Sequence, residues 1–227
     1  MTPLAVALTL AAGTVVGVDL ASLPQAMFSR PLVAGLLGGL ATGHPLPGIA
    51  IGAMLELFAM DTLPVGAART PDWGPGTVAV GALAGASTLP ASGLLGLALV
   101  AVLSAWIGGG LSQVVRRANT GAVEARRAAL ESGDSAVLRS LQWMGLLRDA
   151  LRGLVLTAIA LLAGMLVSSL FSRTWVGPQL LASVALAATS AGVALFAGLR
   201  LSGVGRERLW VVGGFAAGLA LAVVWLK

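Results

Sequence analysis

Hydrophobic residues fall in eight runs along this chain, separated by short stretches rich in glycine, proline and arginine. The runs cover residues 4–18, 31–40, 48–60, 77–89, 94–115, 153–171, 178–199 and 209–226. A helix that crosses a bilayer needs about 20 apolar residues. The last three runs are long enough for plain spanning helices, whereas three runs in the first half are too short. The pattern predicts an all-α polytopic membrane protein with about six to eight hydrophobic segments.

The short runs at residues 31–40, 48–60 and 77–89 are joined by links rich in glycine and proline. Each would cross only about half to two-thirds of a bilayer at about 1.5 Å per residue. Irregular backbone at membrane depth is stable only inside protein or beside a water-filled cavity. The pattern therefore favours re-entrant hairpins or broken helices around a substrate site in the first half of the chain. Two ordinary kinked spans are the alternative.

Basic residues divide the chain into three regions. Seven of the 14 lysines and arginines lie in residues 116–152, and the positive-inside rule places that segment in the cytoplasm. We predict an N-terminal membrane region with the substrate site over 1–115, a basic cytoplasmic loop with amphipathic helices over 116–152, and C-terminal membrane helices over 153–227. Within the loop, the turn sequence at 132–135 predicts an N-cap and a helix along the membrane interface, followed by a span that begins at Gly153.

Composition agrees with a membrane protein. Hydrophobic residues make up 57% of the chain and charged residues 10%, and the mean hydropathy is +0.94, whereas soluble domains carry about 25% charged residues. The net charge of +5 would suggest nucleic acid for a soluble domain, but here it orients the membrane helices, so we expect no nucleic-acid partner. Without cysteine and with His44 as the single histidine, a metal site is not expected, nor is a cofactor.

Glycine is concentrated in the hydrophobic runs, with 31 copies in the chain. Small residues let membrane helices approach closely, so Gly35, Gly38 and Gly39 and the three glycines at 108–110 are predicted to be packing faces. None of them has the flanking residues of a phosphate-binding loop.

Several charged residues lie in or beside the apolar runs of the first half. Such a residue costs about 2.5–3.5 kcal/mol at the bilayer centre, so it needs a partner or a cavity. Glu56 is the one ionisable residue in 48–60. Arg30 is either an interfacial arginine or the partner of Glu56 or Asp72, and His44 is either a loop residue or a proton relay. A carboxylate here can accept hydrogen bonds from sugar hydroxyls or carry a proton in an antiporter, and the residues alone leave both open.

Four motifs in order resemble enzyme IIC, the membrane subunit of mannose/fructose/sorbose-family phosphotransferase systems (PTS). They are Arg-Pro-Leu at 30–32, Gly-Ala-Met-Leu-Glu at 52–56, Val-Gly-Ala-Ala at 65–68 and Pro-Asp at 71–72. The resemblance covers most of the chain and is strongest over residues 24–76.

The resemblance implies a permease subunit in the bacterial cytoplasmic (inner) membrane. It would bind a hexose or an amino sugar and deliver it for phosphorylation by enzyme IIB. The implied partners are the membrane subunit enzyme IID, assembled as a trimer of IIC–IID pairs, and the soluble phosphocarriers IIA and IIB. Because those soluble proteins carry the phosphoryl group, the chain would be a transport subunit rather than an enzyme, with no catalytic residue.

The resemblance places Arg30, Glu56 and Asp72 on motif positions that line or brace the sugar site. With Gln25 and His44, the candidate substrate-binding residues are Glu56, Arg30, Asp72, Gln25 and His44. Glu56 is expected to be the main acceptor for sugar hydroxyls. The chain differs from many members at His44, where they have aspartate, and from some at Met27, where they have glutamine; Gln25 is the candidate replacement. The alternatives are an ion-coupled secondary transporter that titrates Glu56 and Asp72, a regulatory subunit without transport, and a structural subunit.

Overall fold

The structure is a computed structural model that describes residues 1–22, 26–60, 70–87, 89 and 91–174. These residues form seven α-helices and, within those ranges, no β-strand. The helices are α1 (Pro3–Asp19), α2 (Pro31–Ala41), α3 (Pro45–Ala59), α4 (Trp73–Ala86), α5 (Ala91–Glu124), α6 (Arg127–Glu131) and α7 (Ser135–Thr174). The predicted all-α class is confirmed for this part of the chain. The runs predicted over 178–199 and 209–226 lie outside the described residues.

Helices α2 and α3 form a short antiparallel hairpin. They contain 11 and 15 residues, which is about 16 and 22 Å against a hydrocarbon core of about 30 Å. The turn between them contains Gly43 with φ of +78°, a conformation that glycine adopts without steric cost. Neither helix is long enough to cross a bilayer, as expected for a re-entrant hairpin.

Glycines allow the two helices of this hairpin to touch along their backbones. A Cβ atom on Gly52 would lie 2.6 Å from the carbonyl oxygen of Pro31, and one on Gly39 would lie 2.8 Å from that of His44. The predicted packing role of these small residues is confirmed at Gly35, which contacts Gly48 and Gly52 in α3, and at Gly39, which contacts the start of α3.

Helix α4 is the centre of the described bundle. Residues 73–84 are all buried, and the helix contacts α1, α2, α3, α5 and α7. Close approach again depends on small residues, since a Cβ atom on Gly81 would lie 2.7 Å from the carbonyl oxygen of Gly35. A helix that is apolar on all faces is one that is buried on all faces.

Helices α5 and α7 are long and apolar enough to cross a membrane. With 34 and 40 residues, they measure about 51 and 60 Å, so both extend well past the start of α4. Residues 116–152 comprise the end of α5, α6 and the first part of α7, and we call them the basic hairpin. Asp134 accepts hydrogen bonds from the backbone amides of Ala136 and Val137 at 2.9 and 3.2 Å, which confirms the predicted N-cap of α7.

The basic hairpin joins the predicted span at Gly153. We expected the helix that follows residues 132–135 to lie along the membrane interface before it enters this span, and α7 continues through Gly153 without interruption. At this point α1 lies against α7, where a Cβ atom on Gly153 would lie 2.8 Å from the carbonyl oxygen of Gly13. A glycine that is held in this way costs helix stability without ending the helix.

Candidate functional site

An ion pair joins the two ends of the α2–α3 hairpin. Arg30 precedes α2 and Glu56 lies in the last turn of α3, so the turn at Gly43 brings them side by side. The guanidinium of Arg30 pairs with Oε1 of Glu56, and Oε2 accepts a hydrogen bond from the backbone amide of Leu32 at 3.1 Å. The side chain of Glu56 is 19% exposed and that of Arg30 is 49% exposed. Of the alternatives for Arg30, the structure shows the pairing with Glu56.

A cavity of about 320 Å³ lies beside this ion pair. It is bounded by the end of α1, the starts of α2 and α4, the end of α3 and the middle of α5. Its lining includes Met27, Ser29, Arg30, Trp73, Ser112 and Arg116. Ligand pockets typically measure about 300–1,000 Å³, so this volume suits a small ligand. A larger cavity of about 640 Å³ lies between α5 and α7 in the basic hairpin, away from Arg30 and Glu56, and we therefore take the smaller one as the candidate site.

A buried carboxylate holds the loop at the edge of this cavity. Asp19, which is 1% exposed, accepts hydrogen bonds from the backbone amides of Ala26 and Ser29 at 2.8 and 3.1 Å. Between these residues, Met27 has φ of +63°, a left-handed conformation that costs a residue with a side chain about 1–2 kcal/mol. The two hydrogen bonds to Asp19 fix this turn and place Met27 in the cavity lining.

A second group of charges is buried between α1, α4 and α7. Arg152 pairs with Asp72, its Nε lies 3.3 Å from Oδ1 of Asp149, and its Nη2 donates to the carbonyl oxygen of Gly17 at 2.7 Å. The hydroxyl of Ser22 donates to the other oxygen of Asp149. Asp72, Asp149 and Arg152 are 1%, 5% and 4% exposed. We call these three side chains the buried charge cluster.

The structure separates the residues that the sequence grouped together. Arg30 and Glu56 meet beside the cavity, whereas Asp72 turns away from it and neutralises Arg152, although its neighbour Trp73 lines the cavity. His44 lies at the opposite end of the α2–α3 hairpin, exposed, with Nδ1 2.9 Å from the carbonyl oxygen of Thr42. Gln25 lies outside the described residues.

Sequence reasoning missed Asp149 and used Arg152 only to orient the membrane. A signal was present, because residues three apart on a helix can pair and these two stand directly before an apolar run. Sequence reasoning also missed Ser112 and Arg116 in the cavity lining. In the described part of the chain, no group of three histidine, cysteine, aspartate or glutamate residues is placed to hold a metal ion.

Two solved structures have a similar fold. One, described as the structure of a membrane protein, has a TM-score of 0.72 at 20% identity, covering 100% of this chain and 93% of the other. The second is the mannose transporter ManYZ in complex with microcin E492, with a TM-score of 0.62 at 20% identity, covering 100% of this chain and 96% of the other. No curated protein shows significant sequence similarity to the chain.

The family model of the sorbose-specific IIC component of the PTS matches residues 4–199. The chain therefore belongs to this family, and the recognition based on the motifs between residues 30 and 72 is confirmed. It is a membrane protein of PTS sugar transport, and an IIC component is the transport subunit of such a system.

Proposed function

We propose that this chain is the permease subunit that binds a hexose or an amino sugar and moves it across the bacterial cytoplasmic membrane for phosphorylation by enzyme IIB. The family match over residues 4–199 carries the proposal. A similar fold in a mannose transporter supports a hexose as the substrate class. Phosphoryl transfer belongs to the soluble IIA and IIB proteins, so the chain itself forms no covalent bond with the sugar.

The Arg30–Glu56 pair is the part of the molecule best suited to hold sugar hydroxyls. A carboxylate offers about four lone-pair sites, and Glu56 uses one for Arg30 and one for the amide of Leu32. The remaining sites can accept from hydroxyls. A guanidinium has five N–H donors, so Arg30 has donors left for sugar oxygens while it pairs with Glu56. The two side chains thus present an acceptor and a donor side by side at the edge of the cavity.

The other candidate residues take different places in this proposal. Asp72 holds the start of α4 in place through its ion pair with Arg152. Trp73, the first residue of α4, lines the cavity with an apolar side chain. Gln25 stays a prediction from the sequence, and we leave His44 out of the site because it lies at the opposite end of the hairpin.

The proposed assembly follows the family. We expect the chain to pair with an enzyme IID subunit, to form a trimer of such pairs, and to work with soluble IIA and IIB. In this arrangement residues 1–115 carry the sugar site, 116–152 face the cytoplasm and 153–227 anchor the subunit. Exposed apolar side chains on α1 and α5, among them Leu4, Leu8, Leu99 and Leu103, suit contact with lipid or a membrane partner.

The test is phosphoenolpyruvate-dependent sugar phosphorylation by membranes that contain this chain and its IID partner. The soluble proteins and a panel of hexoses and amino sugars are supplied. We expect phosphorylation of a specific sugar and a loss of apparent affinity of about 10-fold to 100-fold in Glu56→Gln, because a hydrogen bond to a charged group contributes about 1.5–3 kcal/mol.

Glu131→Gln is the matched control. It makes the same change in an exposed ion pair, where Arg127 Nε lies 2.8 Å from Glu131 Oε1 on α6, and it should leave the affinity unchanged. Equal behaviour of the two variants would contradict the assignment of Glu56. Failure of an assembled complex with every sugar would contradict the permease function, and proton-coupled transport that loses its pH dependence in Glu56→Gln would favour the ion-coupled alternative.

A further inference from the structure

The α5 side of the cavity carries polar side chains that the proposed sugar site does not use. Gly109, Ser112, Gln113 and Arg116 line the cavity, and their spacing of three and four residues places them on one face of the helix. One turn earlier, Ala105 on the same helix is fully buried in the apolar core. The lining face of α5 therefore changes from apolar to polar where the cavity begins.

Ser112 is the first of these groups that points to a ligand. Its Oγ is buried and has no hydrogen-bond partner among the described residues. Leaving such a hydroxyl unsatisfied opposes folding, so buried polar groups almost always have a partner. Because Ser112 lines the cavity, a rotation of its side chain would bring this hydroxyl to a polar group of a bound ligand.

Charge indicates what kind of ligand this is. The described lining contains two arginines, Arg30 and Arg116, and no carboxylate. Glu56 neutralises Arg30, whereas Arg116 is exposed and in no ion pair with a described residue. A neutral sugar needs no second cation, but a phosphoryl group carries about −1.5 to −2 charge and is a preferred ligand of arginine.

The position of Arg116 favours the sugar phosphate product over the free sugar as its ligand. It is the first residue of the basic hairpin, which the positive-inside rule places in the cytoplasm, and this is the side on which the proposed reaction forms the sugar phosphate. Arg30 lines the same cavity and pairs with Glu56, so one molecule in the cavity can contact Arg30 with its hydroxyls and Arg116 with its phosphoryl group.

We propose that Ser112 and Arg116 bind the phosphoryl group of the sugar phosphate product, next to the hydroxyl site at Arg30 and Glu56. This proposal rests on the proposed function, since only phosphorylation supplies such a product. The cavity then holds the sugar before and after phosphorylation, with Arg116 setting how long the product stays.

Calorimetric binding to the full chain with its IID subunit in nanodiscs of zwitterionic lipid tests the proposal. The probes are mannose, mannose 6-phosphate and inorganic phosphate, and if phosphorylation identifies another sugar, that sugar and its phosphate replace the first two. We expect Arg116→Gln to bind the sugar phosphate about 10-fold or more weakly with unchanged affinity for the free sugar. Ser112→Ala should also weaken the binding of the sugar phosphate. Arg117→Gln, a neighbouring arginine outside the lining, should bind all three probes normally.

Two results would overturn this inference. One is normal binding of the sugar phosphate by Arg116→Gln. The other is binding of inorganic phosphate as tightly as the sugar phosphate, which would indicate a general anion or lipid-headgroup site. Either result can occur while sugar phosphorylation is intact, and the proposed function then stands. If no sugar is phosphorylated, the proposed function itself fails, and the inference fails with it.

Discussion

Arg152 offers a direct test of how the described helices are held together. It lies on α7 and contacts the carboxylates of Asp72 and Asp149 and the carbonyl oxygen of Gly17. One side chain thus links α7 to α4 and α1. Arg152→Met keeps most of the length of the side chain but removes its charge and its donors, so two buried carboxylates lose their counterion.

The expected loss of stability follows from burial. Removing one partner of a buried ion pair costs about 3–5 kcal/mol, because it leaves a buried charge without compensation, and Asp72 and Asp149 are only 1% and 5% exposed. For a chain of 150–250 residues, 1 kcal/mol corresponds to about 2–4 °C in Tm. We therefore expect the Tm of Arg152→Met to fall by about 6–20 °C.

Thermal unfolding of the purified full chain in nanodiscs, followed by circular dichroism, measures this shift. Arg127→Met is the matched control, since it breaks an ion pair whose side chains are 78% and 66% exposed. Exposed pairs contribute about 0–1 kcal/mol, so its Tm should change by less than about 4 °C. The double variant Arg152→Met/Asp72→Asn should recover part of the loss, because one of the uncompensated carboxylates is gone. Equal Tm values for the two single variants would refute this account of the cluster.

Two further predictions concern the packing of α4 against α2 and the role of His44. Gly81→Val should lower Tm, because its Cβ would lie 2.7 Å from the backbone oxygen of Gly35 and overpacking costs about 1–3 kcal/mol. Gly121→Ala, with no atom within 4 Å of the added carbon, should keep or slightly raise Tm, and the reverse order would contradict the packing described for α4. His44→Asn should leave the rate of sugar phosphorylation and its pH profile unchanged, since His44 lies at the far end of the hairpin from Glu56, and a changed profile would place it in the site.

The short helices were predictable because hydrophobic runs and turn residues mark them clearly. The run at 31–40 predicts α2 almost residue for residue. Helices α3 and α4 begin earlier than their runs at 48 and 77, at Pro45 and Trp73. The cause is proline, which is stable in the first turn of a helix but interrupts a sequence pattern as if it were a loop.

The ends of α5 and α7 were less predictable, because arginine marks the edge of a membrane but does not end a helix. Both helices continue past Arg116 and Arg152, even through Gly121 and Gly153, which lower helix stability. For the site, the isolation of Glu56 in an apolar run indicated that this carboxylate needs a partner. Arg152 gave no such sign of its pairing with Asp72, which is 80 residues away in the chain, because local sequence carries no information about a contact at that separation.

The unbroken course of α7 has a mechanical consequence. From Ser135 to Arg152 the helix extends over 18 residues, about 27 Å, before it reaches the buried charge cluster. A sideways displacement of the first turn of α7 by about 5 Å would tilt a rigid helix of this length by about 10°. Because Arg152 pairs with Asp72, which directly precedes α4, such a tilt would also displace the start of α4, where Trp73 lines the cavity.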